Sequence, residues 1–271
     1  LLIILAPFSQ SFANSQQNQQ INDEAESITS LLSDGSAINK AGRQRMLSER
    51  IVKAYIQLSM EVDMQKAQVQ LTQARALFEQ QLAELKLYAP TNNIAHNLDA
   101  VTQQWQQVSK IIDSSPSIDR ISILIPLGEK LVARCHQVVL DIERFSGSSS
   151  AILVNTSGRQ RMLSQKIAKE ALLVAAQVEQ KAALMKSMAL FERSHRAIID
   201  GDKKQGMNAL KNKVTIKQMD RVGQLWTSYK QVIEAHVKDN NSETLNAIKE
   251  RSPVILKEMN KAVMMMTNEA S

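Results

Sequence analysis

The chain has one cysteine, Cys135, in 271 residues, which excludes an internal disulfide framework and a cysteine-built zinc site. Four scattered histidines leave little material for a metal centre. Eight glycines and five prolines are too few for a loop-rich, collagen-like or many-stranded β protein. Aromatic residues make up only 4%. No apolar run reaches the ~18 to 20 residues that a membrane helix requires. There is no nucleophile–base pairing at an informative spacing, no phosphate-cradling glycine loop and no His/carboxylate cluster. Catalytic residues, metal ligands and cofactors are therefore not expected, and neither is an enzyme.

What is present is a chain that is 44% apolar and dominated by Ala, Leu, Gln, Lys, Met and Ile, most of them good helix formers. An all-α fold is expected. The apolar run Leu1–Ala6 leads through Pro7 and Phe8 to Ser11-Phe12-Ala13, small residues at the two positions a signal peptidase reads. Residues 1–13 are read as a signal peptide truncated at its start, since no initiator Met or basic leader precedes it. Residues 14–23, rich in Gln, Asn and Ser, read as a flexible leader. The expected location is the periplasm, with membrane anchoring if the segment is retained.

The chain contains its own copy. Asn39-Lys-Ala-Gly-Arg-Gln-Arg-Met-Leu-Ser-Glu-Arg-Ile-Val-Lys53 returns as Asn155-Thr-Ser-Gly-Arg-Gln-Arg-Met-Leu-Ser-Gln-Lys-Ile-Ala-Lys169, identical at ten of fifteen positions. Leu77-Phe78-Glu79 answers Leu190-Phe191-Glu192, Trp105 answers Trp226, and Pro126 answers Pro253. Two modules follow, 24–146 and 147–271, joined at Ser146-Gly-Ser-Ser-Ser150. Each reads as four helices. In the first, Leu47, Ile51, Tyr55, Leu58 and Val62 form one stripe, and Leu71 to Leu85 form a second that stops before Pro90. Asn92 or Asn93 is expected to cap a third helix, and Ser115-Pro116 to start a fourth that runs towards Phe145. The second module follows suit, with a break near Gly201–Gly206.

Core stripes explain Met46, Leu47 and Ile51, but not the recurrence of Gly42 and its neighbouring arginines. Gly42, Arg45, Met46 and Glu49 share one helix face, with Ser48 beside them. Glycine costs about 1 kcal/mol inside a helix, so two copies point to close approach by another helix or a ligand. Arginine in a bundle core requires an acidic partner or a bound anion. Two such helices side by side would converge two guanidinium forks on one planar oxyanion. The alternative on the residues alone is a helix N-terminus with solvated arginines paired to Glu49 or Glu170.

The string Ile38–Ser48 and its twin Val154–Ser164 resemble the start of the PilJ/NarX-type N-terminal sensor domain of type IV pilus chemotransducers and nitrate/nitrite sensor kinases. The resemblance covers nearly the whole mature chain as two tandem copies, which implies antiparallel four-helix-bundle modules. In nitrate-sensing members, the first helices of two subunits lie side by side and matching arginines clasp one anion at the dyad. The resemblance thus implies a ligand set of Gly42, Arg45 and Ser48 with Gly158, Arg161 and Ser164, and Arg43 and Arg159 as secondary candidates. Family members usually carry a membrane helix, a HAMP segment and an output domain after the sensor, and none of these is expected from the residues up to Ser271. Arg43 and Arg159 also stand where some nitrate sensors are uncharged.

Both halves of one site are expected within this chain, as an intrachain pseudo-dimer, if the Ser/Gly joint turns the chain back. The rival arrangement is one continuous helix that stacks the modules end to end. The expected function is a sensor for a small anion, nitrate or nitrite, linked to chemotaxis or two-component signalling through a membrane receptor. The alternative is an interaction module of the pilus or chemotaxis apparatus with structural arginines. Either a monomer with internal pseudo-symmetry or a homodimer fits.

Residues 14–146 carry a net charge of −2 and 147–271 of +8, the excess including Lys203, Lys204, Lys211 and Lys213. That face is read as solvated, with docking on anionic lipid or an acidic protein as the alternative. Nucleic acid is not expected, for want of aromatic–basic interleaving. Met259 and Met264–Met266 are read as core packing rather than a copper(I) site. Cys135-His136 is read as a buried thiol beside a surface or capping histidine.

Overall fold

The computed structural model describes residues 32–270. The signal segment and leader lie outside them. Eight helices follow in order: α1 (Asp34–Ser59), α2 (Met64–Tyr88), α3 (Asn92–Ile112), α4 (Ile118–Ser146), α5 (Ser149–Ala175), α6 (Lys181–Asp200), α7 (Lys213–Asp239) and α8 (Ser242–Ala270). The protein is all-α, and among the described residues the only extended pairing is a single bridge between Asp202 and Met207. No described helix is long and apolar enough to cross a membrane.

Local chemistry sets the ends. The Ser33 hydroxyl accepts from the Ser36 amide at 3.3 Å and starts α1. Thr91, in an extended conformation, caps α3 by accepting from the Ile94 amide at 3.3 Å. This corrects the expectation of Asn92 or Asn93, which already lie inside the helix. The fourth helix likewise starts later than Ser115-Pro116. The Ser115 carbonyl accepts from Arg120 at 2.6 Å, and Ser117 takes the cap position. Gly147 ends α4 at φ 62°, a left-handed conformation that glycine adopts without strain, and Ser148 caps α5. The joint is therefore a break, not a continuous helix. The expected break after α6 is a short 3-10 turn, Lys203–Gln205, with Lys203, Lys204, Lys211 and Lys213 exposed around it.

α1 and α5 form the spine. α1 packs on α2, α4 and α5, while α5 packs on α1, α6 and α8; α3 and α7 cover α4 and α8. Burial separates spine from cover: α1 buries 18 of its 26 residues and α5 20 of 27, against 7 of 21 in α3. A stripe pattern cannot hold in a helix enclosed on every side, and polar residues enter the interior of both spine helices.

The duplication is physical as well as textual. Phe78 packs tilted against Trp105 with ring centroids 4.5 Å apart, and Phe191 stacks on Trp226 at 4.2 Å. Gln44 donates to the Phe78 carbonyl at 3.1 Å, and Gln160 donates to the Phe191 carbonyl at 2.9 Å. Met259 and Met266 are core residues whereas Met264 is exposed, so these methionines do not converge.

Candidate functional site

The two repeat motifs meet along the α1–α5 seam. Gly42 faces Gly158: a Cβ built on either would lie 3.9 or 3.8 Å from the other's Cα. Around this crossing Asn39 and Arg45 meet Arg161 and Asn155 reciprocally, and further along both helices Glu49 and Lys53 meet Lys169 and Gln165, so the helices run parallel and in register. Two glycines in contact let the helix backbones approach closely.

That approach leaves room for both arginines. Arg45 Nη2 lies 3.3 Å and Arg161 Nη2 3.7 Å from the position a Cβ on Gly42 would take. Arg45 is 1% exposed and Arg161 0%. Each reaches across the seam to the other copy. Arg45 Nη2 donates to the Asn155 carbonyl at 3.2 Å, and Arg161 Nη2 donates to the Asn39 carbonyl at 2.9 Å.

The remaining contacts break the symmetry. Arg161 Nη1 donates to Asn39 Oδ1 at 3.0 Å. Asn155 turns its amide away, donating to Glu143 at 2.6 Å, and Arg45 Nη1 instead meets His136 Nδ1 at 3.0 Å. A guanidinium cannot accept, so His136 Nδ1 is the acceptor and its proton sits on Nε2. His136, expected at the surface or at a cap, is thus part of the site. Nothing at its sequence position marked it, because α4 reaches α1 only through the fold. Cys135 beside it is buried, and burial pushes its thiol up to about 12, so it is unreactive.

Electrostatically the site is starved of negative charge. Among the described residues, neither Arg45 nor Arg161 forms an ion pair with a carboxylate, and both Nε groups are buried without a partner. Burial lowers the Arg45 guanidinium to about 9, with Arg159 pushing the same way and Cys135 and Glu143 opposing. Burial lowers Arg161 well below its usual value, and Arg43 and Arg45 add to the drop. Four cations therefore gather here, with half-buried Arg43 and Arg159 on the flanks. His136 is pushed down to about 4 by burial, then by Arg45 and Arg159.

Ser48 and Ser164 spend their hydroxyl protons on their own helices, donating to the Gln44 and Arg161 carbonyls at 2.8 Å each. Ser48 also lies 3.9 Å from Cys135 Sγ. One turn beyond the arginines, Lys169 pairs with Glu49 at 2.7 Å and Lys53 donates to Gln165 Oε1 at 2.9 Å. The repeat made Glu49 and Lys53 visible in sequence, but not their pairing across the seam.

A family model described as type IV pili methyl-accepting chemotaxis transducer N-term, PilJ, matches residues 27–120 and again 145–250. The methyl-accepting chemotaxis protein McpN of Pseudomonas aeruginosa (strain PAO1) is 29% identical over 139 residues, 51% of this chain and 26% of McpN. The match therefore spans about a quarter of that relative's length. The solved ligand-binding domain of the P. aeruginosa nitrate receptor McpN is 28% identical, covering 44% of this chain and 95% of that one, with a TM-score of 0.42.

Proposed function

The chain belongs to the PilJ family of chemotaxis-transducer N-terminal domains, and we propose from that premise that it is an exported, non-catalytic sensor module. It binds one small oxyanion, nitrate or nitrite, between Arg45 and Arg161 of a single chain. One observation carries this reading: two fully buried guanidinium groups converge on a glycine-lined crossing, and among the described residues neither forms an ion pair with a carboxylate. Such charges are costly unless an anion joins them. The unpartnered Nε protons supply donors in the plane of each guanidinium, suited to a flat trigonal acceptor.

Gly42, Arg45, Gly158 and Arg161 form the proposed ligand set, and Arg43 and Arg159 supply field from the flanks. Ser48 and Ser164 offer only lone pairs to the site, and lone pairs repel an anion, so we leave them out of direct contact. Both half-sites lie in one chain, so a monomer suffices. The ligand state is read by a membrane receptor or a pilus component in the periplasm, in keeping with the chemotaxis role named for McpN.

The test is a thermal-shift titration with nitrate, nitrite, chloride and sulfate. A ligand at 100 times its Kd stabilises by about 2.7 kcal/mol. A nitrate-selective shift that is lost in Arg45→Ala and in Arg161→Ala is expected. A second reading draws on the cross-seam bonds to Asn39 and Asn155. There the arginines only hold α1 against α5, and the module serves protein contacts of the pilus or chemotaxis apparatus. It predicts no shift with any anion and recovery with a protein partner from the periplasm.

A further inference from the structure

The α1–α5 seam carries a second departure from symmetry, away from the arginines. Adding 116 to a position in the first motif gives its twin: Glu49 becomes Gln165, Arg50 becomes Lys166, Lys53 becomes Lys169 and Ala54 becomes Glu170. On one side, Lys169 pairs with Glu49 at 2.7 Å, and Lys166 lies 3.7 Å from Glu170. On the other side, both carboxylates are replaced. Lys53 meets the neutral amide of Gln165, and Ala54 stands where its twin is a glutamate.

The two lysines are nonetheless equally buried, at 5% and 3% exposed. Burial pulls Lys169 down, but the charge and hydrogen bond of Glu49, with the charges of Glu170 and Glu129, together outweigh it, and its pKa is raised overall. Lys53 has no such support: burial and the neighbouring Arg50 bring it down to about 7. Among the described residues, Gln165 is its one hydrogen-bond partner, and no carboxylate pairs with it.

Lys53 also lines a cleft of about 440 Å³ between α1, the start of α2, α5 and α8. Ala168, Leu172 and Ile248 give it an apolar wall. Gln57 lines it too, 5% exposed, with a buried side-chain oxygen that has no partner. Four further charged groups line it, Asp63, Lys66, Lys249 and Glu250, of which Lys249 and Asp63 pair at 3.2 Å.

We propose that this cleft is a second ligand site for a small organic carboxylate, whose carboxylate group is taken by Lys53 and whose hydroxyl or amino donor is taken by Gln57. The direct partner that Lys53 lacks is a carboxylate, and Glu49 beside Lys169 shows how the seam accommodates it. A bare oxyanion would leave most of the cleft and its apolar wall unfilled. A hydroxy or amino acid with a short carbon chain meets the ammonium, the orphan amide oxygen and the apolar wall together. Because it favours protonated Lys53, binding takes up a proton above neutral pH.

The test uses the full chain with glycolate, L-lactate, L-malate and glycine, by thermal shift and by calorimetry at pH 8 in two buffers of different ionisation enthalpy. Saturable binding of at least one acid with net proton uptake is expected. Gln165→Glu places a resident carboxylate beside Lys53 and should weaken that binding at least tenfold, while Arg45→Ala leaves it intact. If Gln165→Glu does not fold, Lys53→Met should show the same loss. The proposal is overturned if none of the four acids binds, if both variants that fold bind like the parent, or if Arg45→Ala abolishes binding. The last result would place the acid at the arginine pair.

Discussion

Glu49 of α1 and Lys169 of α5 form a 2.7 Å ion pair whose side chains are only 2% and 3% exposed. A pair so enclosed fixes the register of the two spine helices, because sliding either one would strand two charges without water. Removing one partner of a buried pair costs about 3–5 kcal/mol. Glu49→Gln should therefore lower stability by that order in urea unfolding. Adding Lys169→Met to it should recover much of the loss, a non-additivity that a double-mutant cycle measures directly.

Arg45→Met should behave in the opposite way. It removes a buried cation that lacks a carboxylate partner and fills the space with apolar atoms. Stability without added anion is expected to stay level or rise by about 1–2 kcal/mol, as when buried charges give way to packed hydrophobes. Any stabilisation by nitrate should vanish. Thermal melts with and without nitrate check both halves.

Gly42→Ala tests the space between the arginines. Its Cβ would lie 3.3 Å from Arg45 Nη2 and 3.7 Å from Arg161 Nη2, both on movable side chains. The better helix propensity of alanine, about 1 kcal/mol, offsets the crowding. Global stability should therefore change little while anion affinity falls at least tenfold by calorimetry. Gly128→Ala offers the contrast, since its Cβ would lie 2.6 Å from Val52 Cγ2 in the core. Overpacking there should cost about 1–3 kcal/mol, with Val52→Ala restoring part of it.

His136 sets a pH dependence. Its folded pKa of about 4 lies below the ordinary 6.5. Between those values the unfolded chain binds more protons at this group, so its stabilising contribution is full above pH 6.5 and is lost as pH falls towards 4. His136→Gln should flatten that part of the stability profile. An anion beside Arg45 offsets the cationic field and raises the His136 pKa. Its affinity should therefore increase as pH falls from 6.5 towards 4, which calorimetry across that range will read.

Much of this was legible in the chain. Helix-forming composition gave the all-α class, and the repeat matched Phe78 to Phe191 and Trp105 to Trp226, though not the contact of each phenylalanine with its tryptophan. Both are local or self-similar signals that survive without coordinates. Helix starts were read less well. At Thr91 the start turned on which side chain reached a free amide, a choice that neighbouring candidates leave nearly balanced, and at Ser117 no side chain makes such a bond to mark the start.

The sequence by itself determined that Gly42, Arg45, Glu49 and Lys53 lie along one stretch of helix and recur as Gly158, Arg161, Gln165 and Lys169, because helical periodicity and duplication are properties of the chain. Only the tertiary structure decided that these stretches lie parallel, with each arginine on the other copy's asparagine and His136 against Arg45. Those contacts depend on a turn at Gly147 and on helices far apart in the chain excluding the same water. Only the fold showed that Lys53, unlike its twin Lys169, is buried beside an amide rather than a carboxylate. Burial is what turns the replacement of glutamates between two repeats into a lysine with no carboxylate partner.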